Sequence, residues 1–150
     1  MPPHLTLLDA RTSGLDEDGL RRRARALSRD SGAPFTSRSY RFPYALVAWH
    51  DEPIGVDIEQ LVPCSGSLAS VMCTPSEAAR LADTADPDHE LTDLWSSKEA
   101  LAKALGDALA YEPSRLPAPA LWPDGCSGRW RATAVRVPEG HVAWVCWRSP

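Results

Sequence analysis

Apolar and polar positions change period several times along this chain, and each change marks an element. DEDGLRRRARALSRD, residues 16 to 30, sets acids first and bases last ahead of Gly32, a charge order that favours a helix dipole. Its apolar positions are few (Leu20, Ala24, Leu27), so this helix is expected to be mostly solvated or to face a partner. YALVAWH (44 to 50) and IGVDIE (54 to 59) flank the turn-forming DEP and predict two neighbouring antiparallel strands. LVPCSGSLASVMC is punctuated by Pro and Gly. TPSEAARLAD then offers Thr74 as N-cap, Pro75 at the first helical position and Glu77 three residues after the cap, which predicts a short helix. A long amphipathic helix follows: Leu91, Leu94, Trp95, Leu101, Ala102 and Leu105 recur at three- and four-residue spacing, and Gly106 ends it. The Pro-rich stretch from 111 to 128 reads as irregular, with a turn at PDG. RWRATAVRV and HVAWVCWR alternate as two further strands joined by PEG. Hairpins interleaved with helices predict an α+β fold, antiparallel strands packed with helices, in a single domain spanning 1–150.

Composition narrows the function classes. A chain of 150 residues with 43% hydrophobic and 24% charged residues is globular, and no apolar run approaches the roughly 18 to 20 residues that span a bilayer. A net charge of −4 argues against nucleic-acid binding, which relies on clustered Lys and Arg. No basic-then-apolar leader is visible at the start, so a cytoplasmic location is expected. Cys64, Cys73, Cys126 and Cys146 lack CxxC spacing and are expected to be free thiols. Trp95, Trp144 and Trp147 are expected in the core or an interface, the last two on opposite faces of one strand. His50, His89 and His141 have no visible acid-base partner and are expected to be structural.

Chemistry enters at IGVDIE. Residues two apart on a strand share a face about 6.6 Å from each other, so Asp57 and Glu59 point one way with Gly55, while Ile54, Val56 and Ile58 fill the core behind. Two carboxylates so placed suit Mg²⁺, which takes oxygen ligands and substrate phosphates. A plainer reading is an amphipathic strand with a wet face, which would leave both acids outside the core. On the long helix Trp95, Glu99 and Lys103 form one stripe with Lys98 beside it; the plainer reading there is a surface pair worth about 0.3 to 0.5 kcal/mol.

Together, GVDIE and WSSKEALAK, with Asp57 and Glu99 separated by 99 − 57 = 42 positions, resemble the bipartite signature of the 4′-phosphopantetheinyl transferases. MCTPSEAARLAD is similar to the short helix preceding the second motif in that family, and the resemblance covers roughly residues 35 to 110. It implies transfer of the phosphopantetheine arm of coenzyme A to a serine hydroxyl on an apo acyl, peptidyl or aryl carrier protein, with release of adenosine 3′,5′-bisphosphate and dependence on Mg²⁺. By motif position Asp57, Glu59 and Glu99 would hold the metal. Lys98 and Lys103 would lie near the coenzyme A pyrophosphate, Lys103 stabilising or protonating the leaving group, and Glu99 or a metal-bound water would take the serine proton. Ser37, Arg38 and Ser39 occupy the place of a phosphate-contacting Ser-His-Ser in larger members; Arg38 stands where His would be, and a guanidinium can bind phosphate. The length matches the small members of the family, but the motif wording is closer to the second half of the surfactin-synthetase-activating type. A single half-unit is therefore expected to assemble as a homo-oligomer, dimer or trimer, with sites between subunits. Arg21, Arg22, Arg23 and Arg25 would then serve a neighbour's nucleotide pocket or dock an acidic carrier protein. The alternative is a non-catalytic module on the same fold that binds coenzyme A or carrier proteins without transfer.

Overall fold

Helix ends in the computed structural model, which describes residues 1–106 and 110–150, follow the caps written in the sequence. α1 (Ala10–Ser13) and α2 (Glu17–Asp30) come first, and Asp16 caps α2 by accepting from the Gly19 amide at 2.7 Å. α3 (Gly66–Met72) forms in the Pro- and Gly-punctuated stretch, to which the sequence reading assigns no element, and Ser65 supplies its N-cap. α4 (Pro75–Asp83) carries the expected Thr74–Glu77 capping box. α5 (Pro87–Leu105) starts at the Asp86 cap and ends at Gly106, whose φ of 84° is left-handed and suited to glycine. Three short 3₁₀ turns fill the Pro-rich stretch, at Pro113–Arg115, Pro119–Leu121 and Pro123–Gly125.

Among the described residues seven strands form two antiparallel sheets, so the fold is α+β as expected. β1 (His4–Asp9), β2 (Phe35–Arg41) and β3 (Tyr44–His50) lie in the order β1-β3-β2. β4 (Ile54–Gln60), β5 (Cys126–Ser127), β6 (Trp130–Ala134) and β7 (His141–Arg148) lie in the order β4-β7-β6-β5. One expectation is corrected here: β3 and β4 are not a hairpin. Both edges of β3 are taken, by β1 and β2, and the chain crosses at DEP into the other sheet, where β4 pairs with β7. The facing surfaces of the sheets enclose the main core, Leu46 and Ala48 of β3 against Ile54, Val56 and Ile58 of β4 and Val145 of β7. Trp147 packs on this core, while Trp144 lies on the opposite face under α5, as their spacing implies.

Helices cover the outer faces. α2 is not merely solvated: Leu20 and Ala24 seat it on Ala45 and Val47 of β3. Arg22, Arg23 and Arg25 point outward, and Arg21 lies over the Tyr40 ring at 4.3 Å. α5 packs on Trp144, Cys146 and Ala132 through Ala100 and Leu101. At Gly55 the approach is so close that an added Cβ would sit 2.0 Å from the Ala100 carbonyl oxygen. All four cysteines are free, and among the described residues no helix is long and apolar enough to cross a membrane.

Candidate functional site

The edge of β4 that faces β2 has no backbone ladder, and side chains complete it instead. Ser37 Oγ accepts from the Val56 amide and Ser39 Oγ from the Ile58 amide, each at 3.0 Å, which joins the two sheets along a parallel seam. Lys103 Nζ reaches from α5 to donate to the Val56 carbonyl at 2.9 Å and the Arg38 carbonyl at 3.4 Å. A buried strand edge must find partners of this kind, since an unpaired amide or carbonyl costs about as much as a lost hydrogen bond. Ser37 and Ser39, expected to touch nucleotide phosphates, are thus both buried and bonded to β4. Arg38 alternates to the α2 side of β2 and is half-buried, and among the described residues its guanidinium is in no ion pair.

Asp57 and Glu59 share the face of β4 that α5 covers, so this face is not wet: the two residues are only 3% and 4% exposed. Their environments differ. Arg41, two positions beyond Ser39, donates through Nε to Glu59 Oε2 at 2.9 Å and through a second guanidinium nitrogen to the same oxygen. Asp57 has no such fork. Its Oδ1 lies 3.5 Å from both Ser39 Oγ and Lys103 Nζ, and its Oδ2 is buried without a partner among the described residues. Burial first, and the Glu59 charge second, push the Asp57 carboxyl up to about 8, against the opposing pull of Lys103. An orphaned carboxylate oxygen beside a second carboxylate suits a hard cation, which would satisfy that oxygen and offset the repulsion.

Glu99, on α5, has partners of its own. Its Oε1 accepts from Trp95 Nε1 one turn earlier at 3.2 Å and from the Tyr111 hydroxyl, whose pKa is raised by burial and by Glu99 itself. Among the described residues no three His, Cys, Asp or Glu side chains are gathered closely enough to hold a metal ion. Of the expected set, Asp57 and Glu59 carry the partners given above and Glu99 carries Trp95 and Tyr111. The expected surface pair of Glu99 with Lys103 is also absent among the described residues, since Lys103 is turned to β4 and Asp57.

Lys98, expected beside the pyrophosphate, is 0% exposed on its side chain. Its amine donates to the Met72 carbonyl at 2.7 Å, the Pro113 carbonyl at 2.7 Å and Glu77 Oε1 at 2.5 Å, which engages all three donors. Glu77 also accepts from the Thr74 and Ala118 amides. Lys98 thus ties α3, α4 and the strap after α5 together, and a ligand has no access to it.

Two participants were not singled out from the sequence. Arg41 was legible in principle, because it continues the alternation of Ser37 and Ser39 toward the acid pair. Tyr111 carries no local signal, since it reaches Glu99 from irregular backbone twelve positions downstream.

The family model described as the 4′-phosphopantetheinyl transferase superfamily matches residues 53–132, over half of the chain. That stretch contains Asp57, Glu59, Lys98, Glu99, Lys103 and Tyr111 and leaves out Ser37, Arg38, Ser39 and Arg41. No curated protein matches the chain.

Proposed function

Because the chain belongs to the 4′-phosphopantetheinyl transferase superfamily, we propose that it moves the phosphopantetheine arm of coenzyme A onto a serine hydroxyl of an apo carrier protein with the aid of Mg²⁺. The observation that carries this reading is Asp57: a buried carboxylate with an orphaned Oδ2, beside Glu59 and 3.5 Å from the Lys103 amine. Asp57 and Glu59 would hold the cation, with Glu99 as the third acid of the motif. When bound, it neutralises the carboxylates and polarises the coenzyme A pyrophosphate.

The chain's own groups divide the remaining work. Lys103 is 26% exposed on its side chain and anchored to the Val56 carbonyl, so a pyrophosphate oxygen arriving at Asp57 meets a fixed positive charge. Lys103 stabilises the leaving adenosine 3′,5′-bisphosphate and can protonate it. Glu99 is the general base. Trp95 and Tyr111 both bind its Oε1, so Oε2 takes the serine proton as the serine oxygen bonds to phosphorus and the phosphoanhydride bond breaks. Arg38, at the position that the resemblance assigns to a phosphate contact, would meet a phosphate from the α2 side of β2. Ser37 and Ser39 support the site by fixing β4 rather than by touching the nucleotide.

The test is intact-mass measurement of an apo carrier protein incubated with this protein, coenzyme A and Mg²⁺. The expected result is a gain of one phosphopantetheine arm, lost with Glu99→Gln and with chelator. Coenzyme A binding without any gain, across acyl, peptidyl and aryl carriers, would contradict it.

A further inference from the structure

Lys98 and Glu99 are neighbours on α5, so their side chains leave the helix about 100° apart. Both nevertheless reach the same segment. Lys98 Nζ donates to the Pro113 carbonyl at 2.7 Å, and Glu99 Oε1 accepts from the hydroxyl of Tyr111, two residues earlier in the chain. The strap is gripped further along by Glu77 Oε2, which accepts from the Ala118 amide at 2.8 Å, and by Ser97 Oγ, which accepts from the Ala120 amide at 3.1 Å. Lys98 also donates to Glu77 Oε1 at 2.5 Å, so the buried pair and the strap form one connected network. A buried ammonium is costly even when paired, and packing alone would be met by an apolar side chain of similar volume. Such a side chain could not hold a backbone carbonyl beside Tyr111.

We propose, resting on the transfer reading above, that Lys98 is a positioning residue for Glu99. Its grip on Pro113 places Tyr111 against Glu99. Tyr111 and Trp95, whose Nε1 donates at 3.2 Å, then hold Oε1 from two sides and leave Oε2 turned toward the acceptor serine. The motif lysine thus acts on the base without touching coenzyme A. When the grip is lost the carboxylate swings, and a misplaced base slows proton removal while coenzyme A binds as before.

Trp95 Nε1–H reports on Glu99 directly, because it donates to the same oxygen as Tyr111. The experiment follows the indole signals in a proton–nitrogen correlation spectrum, with Trp95 assigned from Trp95→Phe, and measures transfer to an apo carrier protein by intact mass. Wild type is compared with Tyr111→Phe, Lys98→Met, and Lys98→Met combined with Glu77→Gln. The combined variant removes the buried pair as a whole and leaves no lone buried charge, so it keeps the test open if Lys98→Met does not fold. The expected result is a moved Trp95 signal and a kcat lower on the order of tenfold in each variant, with KM for coenzyme A unchanged. Adding Tyr111→Phe to the combined variant should lower kcat no further, since both changes act on one bond. A merely structural Lys98 predicts a lower melting temperature with the Trp95 signal and kcat of the folded protein unchanged, and that result would overturn the proposal. A raised KM for coenzyme A in the Lys98 variants would also overturn it and return Lys98 to the pyrophosphate. Absence of transfer by wild type would contradict the transfer reading instead, and the Trp95 signal would still decide whether Lys98 sets Glu99.

Discussion

Burying the Asp57 carboxylate with Oδ2 unpartnered costs free energy that an asparagine would avoid. Its folded pKa of about 8 lies above the ordinary 3.8, so the folded state holds a proton that the unfolded chain has lost between those values. This contribution to stability is complete below about pH 4 and is lost as pH rises toward 8. In chelator, the melting temperature should therefore fall over that window, and Asp57→Asn should flatten the fall and raise the melting temperature near pH 8 by several degrees. Thermal melts across pH, with and without Mg²⁺, check this. The wet-face reading of IGVDIE would have placed Asp57 outside the core; at 3% exposure it lies within it, because α5 covers the acid face. Lys98 carries a second prediction. Lys98→Met should destabilise by about 3 to 5 kcal/mol by leaving Glu77 charged and buried, and denaturant unfolding measures it. A raised KM for coenzyme A at unchanged stability would instead favour contact with the pyrophosphate.

Strands and helices differ in how much of them could be read in advance. α4 and α5 were legible because their caps, Pro positions and apolar spacing are all local. β2 was not, since its positions facing β4 are Ser37, Ser39 and the exposed Arg41 and show no apolar alternation. Those serines are there to bond β4, a long-range requirement with no local signature. The β3–β4 hairpin failed for the same reason: turn chemistry at DEP is local, but pairing is decided by β1 and β7 far along the chain. Ser37→Ala or Ser39→Ala should each cost about 1 to 3 kcal/mol by orphaning an amide of β4. A change in coenzyme A KM without loss of stability would return the serines to the nucleotide. Gly55→Ala should be worse, because its Cβ would meet the Ala100 carbonyl oxygen at 2.0 Å and the Ala104 amide nitrogen at 2.6 Å. Overpacking of this kind costs about 1 to 3 kcal/mol or more, and it would shift Glu99 and Lys103 together. Unfolding curves and transfer rates should fall in parallel.

Across the whole molecule, two sheets joined by a serine-bridged seam and a helix packed onto glycine bring Asp57, Glu59 and Lys103 to one place. Alternation along IGVDIE made the shared face of Asp57 and Glu59 legible, whereas Lys103 entered only through the motif resemblance. The Tyr111–Glu99 bond and the strap depend on tertiary packing and were not legible. Arg22, Arg23 and Arg25 stay exposed on α2; light scattering tests the dimer or trimer that the resemblance leads one to expect. The central claim is transfer at the buried acid site. Its most direct test is the mass of an apo carrier protein after incubation with this protein, coenzyme A and Mg²⁺, alongside Asp57→Asn. A gain of one phosphopantetheine arm with wild type and none with Asp57→Asn is expected; equal gain with both would contradict the assignment of Asp57, and no gain with a carrier that other transferases modify would contradict the activity.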